Sequence, residues 1–108
     1  MLTAHIGNPA LTDEGDFHLS DGVIYQRDMN WLRQADVVVA EVSNPSLGVG
    51  YEVAQAELMG RPLQCLYQAG LAGRVSPMIT GNSNVRVCSY LSIYDAYLKL
   101  DDFFRSLE

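Results

Sequence analysis

Two carboxylates, Glu52 and Asp28, stand in surroundings that set them apart from the chain's other acidic residues. Glu52 follows a loop rich in small residues, 43–50, and opens a segment of helical composition, 51–59, that is closed by Gly60. Free N–H groups and the positive dipole at a helix amino end keep a carboxylate ionised, which suits a nucleophile or an anionic stabiliser better than a proton donor. The same dipole draws acidic residues into first turns with no chemistry attached, so a structural role is the ordinary explanation of Glu52 taken alone. Asp28 falls within the apolar stripe of a helix expected over 20–34, a stripe carried by Ile24, Trp31, Leu32 and Ala35, with Arg27 and Arg33 pointing elsewhere. A carboxylate on a buried face carries a desolvation cost. Two readings balance: a hydrogen bond to a neighbouring loop, or a general acid kept neutral by partial burial.

Smaller polar groups gather near these two. Ser46 is placed as an N-cap or as an anion donor, and Ser20 with Asp21 supplies the cap of the first helix. Gly48 and Gly50 begin a G-x-G, but position 53 is Val, so the dinucleotide fingerprint fails. Ser76, Pro77, Met78 and Ile79 have the composition of one helical turn with Ser76 as its cap and donor. His5 lies at the carboxyl end of a strand expected over 1–6, where ligand contacts collect, though a lone histidine there is ordinarily structural.

The elements that must hold these residues follow from hydrophobic pattern. Residues 37–42 and 63–67 are short, buried-type strands, and 85–88 is a third of the same kind. Turn residues Gly7, Asn8 and Pro9 follow the first strand, and 11–19 reads as an acidic connection. Ile93, Tyr97, Leu100, Phe104 and Leu107 step by helical intervals through the last segment. Gly60 is placed as the glycine that ends a helix, and 68–84 is a long connection of the kind that carries function. Strands alternating with helices predict a parallel α/β sheet of about four strands, doubly wound in the flavodoxin or Rossmann manner. The crevice at the strands' carboxyl ends would collect His5, the 43–50 loop and the 68–84 connection.

Composition narrows the classes. A chain of 108 residues with 48% hydrophobic content reads as one globular domain over 1–108. Its net charge is −6 and its seven basic residues are scattered, so no stripe exists that could track a nucleic-acid polymer. Cys65 and Cys88 sit in apolar runs, as buried reduced thiols do, and two histidines give no zinc spacing, so no metal is expected. No basic n-region with an apolar h-region opens the chain, and it has no 18-residue apolar run. The expected protein is soluble and intracellular, with no membrane partner.

Three separated stretches then carry a likeness. Asp28-Met29-Asn30-Trp31, Ala35-Asp36-Val37-Val38-Val39-Ala40-Glu41-Val42 and Pro45-Ser46-Leu47-Gly48-Val49-Gly50-Tyr51-Glu52 closely resemble the 2′-deoxynucleoside 5′-phosphate N-hydrolases, relatives of the nucleoside 2-deoxyribosyltransferases. The likeness runs on through Gly73-Arg74-Val75-Ser76 to the last helix. It implies cleavage of the N-glycosidic bond of a deoxynucleoside monophosphate to free base and 2-deoxyribose 5-phosphate, without metal or organic cofactor. By motif position Glu52 looks like the nucleophile and Asp28 like the acid that protonates the departing base. Ser46 and the amides near Gly48 resemble the 5′-phosphate cradle, and His5 matches a substrate-contacting histidine. Ser76, with Pro77 and Met78 beside it, matches a serine that reaches the phosphate in a neighbouring subunit's site, which implies a homodimer. The likeness also implies a cytoplasmic location extending to the nucleus. Two carboxylates with opposed roles suit a retaining cleavage, with a separation of about 5–5.5 Å if the sugar-hydrolase rule carries over.

The resemblance has one departure. The family's opening strand, with a glycine-containing loop, a tyrosine, an arginine and a helix, is expected to be missing from this form, since the sequence starts within the family's second strand. In the order 2-1-3-4-5 that strand is central, so its loss predicts a gap between the strands over 1–6 and 37–42. The alternative function is a non-catalytic nucleotide-binding or dimerisation module of the same ancestry.

Overall fold

The computed structural model describes residues 4–7, as backbone, and 19–108. The β-branched runs form strands, and all of them pair in parallel in the order β1-β2-β3-β4. These are β1 (Ala4–Gly7), β2 (Val37–Glu41), β3 (Leu63–Gln68) and β4 (Arg86–Tyr90). Between and after them lie α1 (Asp21–Gln34), α2 (Leu47–Leu58), a 3₁₀ segment (Ala69–Arg74), the short α3 (Pro77–Thr80) and α4 (Ile93–Ser106). The architecture is the doubly wound α/β arrangement expected.

One expectation about the sheet is corrected. β1 hydrogen-bonds directly to β2, with Ala4 opposite Val37 and Gly7 opposite Ala40, so the anticipated gap between these strands is not there. The physical reason is that a parallel edge is a row of unpaired backbone donors and acceptors, and the nearest available strand satisfies it. The expectations for Met1 to Thr3, for the turn at Asn8 and Pro9 and for the acidic connection up to His18 lie outside the described residues.

Helices cover both faces of the sheet. On one face Val38, Ala40, Val42, Leu63 and Cys65 pack against Met29 and Leu32 of α1, against Val49, Val53 and Ala56 of α2, and against Val75 and Ile79. On the other, Val37, Val39 and Leu66 meet Phe103 of α4, with Leu100 and Phe104 partly buried beside it. Alternate residues of β2 therefore serve opposite faces, as its pleat requires.

Several boundaries moved from their sequence positions. α2 begins at Leu47 and not near Tyr51, because the Ser46 side chain accepts from the Val49 amide at 3.3 Å and starts the helix there. β4 runs on to Tyr90, two residues past the expected strand. In α1 Met29 takes the buried position expected for Trp31, whose ring lies 49% exposed beneath the Arg27 guanidinium. In α4 the buried face is set by Ala96 and Phe103, while Ile93 and Tyr97 at its start are exposed.

The helix ends follow the chain's own signals. Ser20 accepts from the Val23 amide, Ser76 from Met78 and Ser92 from Asp95, each capping the helix that follows. Gly60 has φ +72, the left-handed conformation that lets α2 stop. Its N–H donates to the Glu57 carbonyl and that of Arg61 to Ala56, the paired closure of a Schellman turn. The 68–84 connection is thus not structureless: it holds α3, as the Ser76 cap predicted, and a 3₁₀ segment that was not expected.

Candidate functional site

The β2–α2 connection lies at the carboxyl edge of the sheet, where open parallel sheets hold ligands. From this turn a cavity of about 560 Å³ runs between α2 and α3. Val42, Asn44, Pro45 and Ser46 line one end, Gly50, Tyr51, Val53, Ala54 and Glu57 one wall, and Ser76, Met78, Ile79 and Asn82 the other. The structure therefore brings Ser46, Ser76 and Met78 to one cavity. Each serine already accepts one amide hydrogen bond as a helix cap. A hydroxyl keeps its own proton to donate, so both remain able to bond an anion. At the far end the Glu57 carboxylate accepts from Asn82 Nδ2 at 2.9 Å and from Asn84 Nδ2 at 3.2 Å.

Glu52 and Asp28 do not line this cavity. Because α2 starts at Leu47, Glu52 lies in its second turn, and the first turn holds no acidic residue. The expectation of a first-turn carboxylate is corrected, and the dipole's pull on Glu52 is weaker accordingly, since it fades within one turn. Glu52 is half-buried and has interactions of its own. Asp28 is also half-buried, and its Oδ1 accepts from Arg27 Nε at 3.1 Å and Nη2 at 2.9 Å. Arg27 was expected to point elsewhere; instead it bonds its neighbour, bending back between Asp28 and the Trp31 ring, 4.7 Å from the ring centroid. α1 and α2 abut near both carboxylates: the Tyr25 and Tyr51 rings meet edge to face with centroids 6.4 Å apart. Tyr25 precedes Asp28 by nearly one turn, and Tyr51 is next to Glu52.

Of the remaining residues, Gly48 lies in the first turn of α2 with no described atom within 4 Å of where a Cβ would stand. Pro77 is the first residue of α3. His5 lies in β1 opposite Val38 in the ladder.

Sequence reasoning missed a second polar group at the carboxyl edge. Glu41, last in β2, accepts from the Ser43 amide at 2.6 Å and from Ser43 Oγ at 2.8 Å, and the Tyr90 phenol donates to the same carboxylate. Ser43, 1% exposed, also accepts from the Gln68 amide at 2.8 Å. Burial raises the Tyr90 phenol above its ordinary range, and the Glu41 carboxylate adds to that rise. Glu41 and Ser43 are two residues apart, but Gln68 and Tyr90 come from the ends of β3 and β4, so no local spacing joins the whole group. The one available signal was a glutamate ending an otherwise apolar strand.

Among the described residues no cluster of His, Cys, Asp and Glu could hold a metal ion. No described helix is long and apolar enough to cross a membrane.

No family model matches the chain. It is 40% identical over 101 residues to a protein of Syntrophotalea carbinolica that carries the inferred name 2′-deoxynucleoside 5′-phosphate N-hydrolase 1, covering 94% of this chain and 70% of that one. It is 48% identical over 86 residues to the 5-hydroxymethyl-dUMP N-hydrolase of Tetraodon nigroviridis, covering 78% of this chain and 60% of the relative. Against the enzyme of that name from Mus musculus it is 46% identical over 82 residues, with 75% and 47% covered. The chain thus spans from about half to 70% of the length of these relatives. The matched stretches take in most of the sheet and helices described above, and on that likeness this chain belongs to the 2′-deoxynucleoside 5′-phosphate N-hydrolase family.

Proposed function

We propose that this chain hydrolyses the N-glycosidic bond of 2′-deoxynucleoside 5′-monophosphates, releasing the free base and 2-deoxyribose 5-phosphate. The observation that carries the reading is the capped turn of Ser46, which opens on a cavity at the carboxyl edge of the sheet in a chain of this family. In this reading the α2 N-terminus and the Ser46 hydroxyl hold the 5′-phosphate, with Gly48 leaving its amide approachable. Pro77, Met78 and His5 complete the substrate contacts, and Ser76 serves the phosphate of the neighbouring subunit's site.

Glu52 acts as the nucleophile. Its carboxylate attacks C1′ as the C1′–N bond breaks, and Asp28 gives its proton to the departing base. Water then attacks C1′, loses its proton to Asp28 and frees Glu52, so that the glycosyl ester becomes 2-deoxyribose 5-phosphate. The packing of Tyr25 on Tyr51 supports the pairing of the two carboxylates across the α1–α2 contact. No metal or organic cofactor enters either step.

The test is direct. Incubating the chain with the four deoxynucleoside monophosphates should release free base, seen by chromatography, and Glu52→Ala should abolish release. Denaturing the reaction early should leave a 2-deoxyribose 5-phosphate adduct on Glu52 by mass spectrometry. No release under conditions in which a longer relative turns over would sink the reading.

A homodimer accompanies this proposal, with Ser76 reaching the neighbouring site. The rim of the cavity supports it: Leu47 is 95% and Met78 82% exposed, large apolar groups that gain by burial. Leu47→Glu with Met78→Glu should yield a monomer in sedimentation. One observation favours a second reading, a nucleotide-binding or dimerisation module: neither Glu52 nor Asp28 lines the cavity. Calorimetric binding of a nucleotide without turnover would select it.

A further inference from the structure

The group around Ser43 joins the carboxyl ends of three strands through one carboxylate. Glu41 bonds the Ser43 amide through one oxygen and the Ser43 hydroxyl through the other. Tyr90 brings β4 to that second oxygen, and the Gln68 amide brings the end of β3 to Ser43 Oγ. Three residues past Ser43, Ser46 caps α2. Asn44 between them accepts from Arg74 Nη1 at 3.1 Å, so the connection is also tied from the 3₁₀ segment. The direction in which the chain leaves β2 is therefore set by a charged group with three hydrogen-bond donors on it. Desolvating a carboxylate is costly, and a neutral acceptor could satisfy one amide alone. The charge instead gathers donors from two elements at once.

We propose that Glu41 is a positioning residue for the phosphate-binding turn: by clamping Ser43 against β3 and β4 it aims the Ser46 hydroxyl and the amino end of α2 at the substrate's phosphate. This rests on the reading of Ser46 as part of the phosphate cradle. Glu41 faces the α4 side of the sheet, as Val37 and Val39 do, while the cavity lies on the α2 side, so it acts through Ser43 and not by touching substrate.

The experiment compares Glu41→Ala, Glu41→Gln, Ser43→Ala and Glu52→Ala in the full chain. Two things are measured: binding of 2-deoxyribose 5-phosphate by calorimetry, and kcat and KM with deoxynucleoside monophosphates. Glu41→Ala and Ser43→Ala should each weaken binding and raise KM about tenfold, with kcat changed far less, as expected when ground-state and transition-state grip on a non-reacting group fall together. Glu41→Gln keeps an acceptor for the Ser43 amide alone and should recover only part of the affinity. In Glu41→Gln the Tyr90 phenol should also titrate at lower pH, read as a difference in ultraviolet absorbance from the parent chain, because the neighbouring charge is gone. The proposal is overturned if Glu41→Ala and Ser43→Ala lower the unfolding midpoint but bind 2-deoxyribose 5-phosphate as the parent does. It is equally overturned if the phenol titration does not move. Where Glu41→Ala does not fold, Ser43→Ala and Glu41→Gln decide the matter by the same measurements. A parent chain that binds 2-deoxyribose 5-phosphate in a Glu41-dependent way but releases no base would refute the hydrolase reading and leave this one standing; Glu52→Ala separates the two by losing turnover while keeping binding.

Discussion

Cys65 shows how much one side chain's surroundings decide. It is fully buried in the β3 ladder, and burial, with a smaller contribution from Cys88, pushes its thiol up to about 12. Only the thiolate reacts with alkylating agents, so Cys65 should resist iodoacetamide at pH 8 in the folded chain and react once urea unfolds it, read by intact mass. The same shift fixes a sign. The folded state holds this proton more tightly than the unfolded chain, so the contribution to stability is full below about pH 9 and is lost as pH rises toward 12. The slope from one such group is at most about 1.4 kcal/mol per pH unit, and denaturant midpoints between pH 8 and 11 would measure it. Cys65→Ala should flatten that decline. The apolar run around Cys65 made a buried thiol legible in the sequence. The Glu41–Ser43–Tyr90 group was not legible as a unit, because Tyr90 reaches Glu41 only when β2, β3 and β4 are in register.

At the scale of the element, α2 contains two glycines that its own packing does not explain. Gly48 and Gly50 are helical, and a Cβ at either would meet no described atom within 4 Å. Glycine in a helix is less stable than alanine by roughly 0.5–1 kcal/mol, so Gly48→Ala should stabilise the chain by about that amount in urea titration. If the turn holds phosphate as proposed, the same substitution should weaken binding of 2-deoxyribose 5-phosphate, because the added methyl stands where the anion approaches the amides. Ser46→Ala works in the opposite sense on stability, at a cost of about 1 kcal/mol for the lost cap. The caps at Ser20, Ser46 and Ser76 and the stop at Gly60 are local signals, and all of them were readable. The start of α2 was misplaced because the two glycines weaken its helical pattern, and Glu52 was drawn into the first turn as a result.

At the scale of the whole molecule, the described residues cover the two faces of the sheet unequally. Three helices pack on one side, while Phe103 is the large side chain that fills the centre of the other. Phe103→Ala should therefore destabilise by about 3–5 kcal/mol, with loss of cooperative unfolding as its visible sign. The alternation of strands and helices disclosed the fold class. Strand adjacency was not disclosed, because pairing partners of a parallel strand are chosen by tertiary closure and leave no mark in local pattern.

The direct pairing of β1 with β2 sets an order of opening. β1 is four residues long and bonds to one described neighbour, whereas β2 and β3 are each flanked on both sides. Closing the chain from residues 4–7 onto 37–40 also spans the longest loop between any neighbouring strands of the sheet. In deuterated water the amides of β1 should thus be the first of the ladder to exchange and those of β3 among the last, so the molecule frays from its amino-terminal border while its centre stays shut.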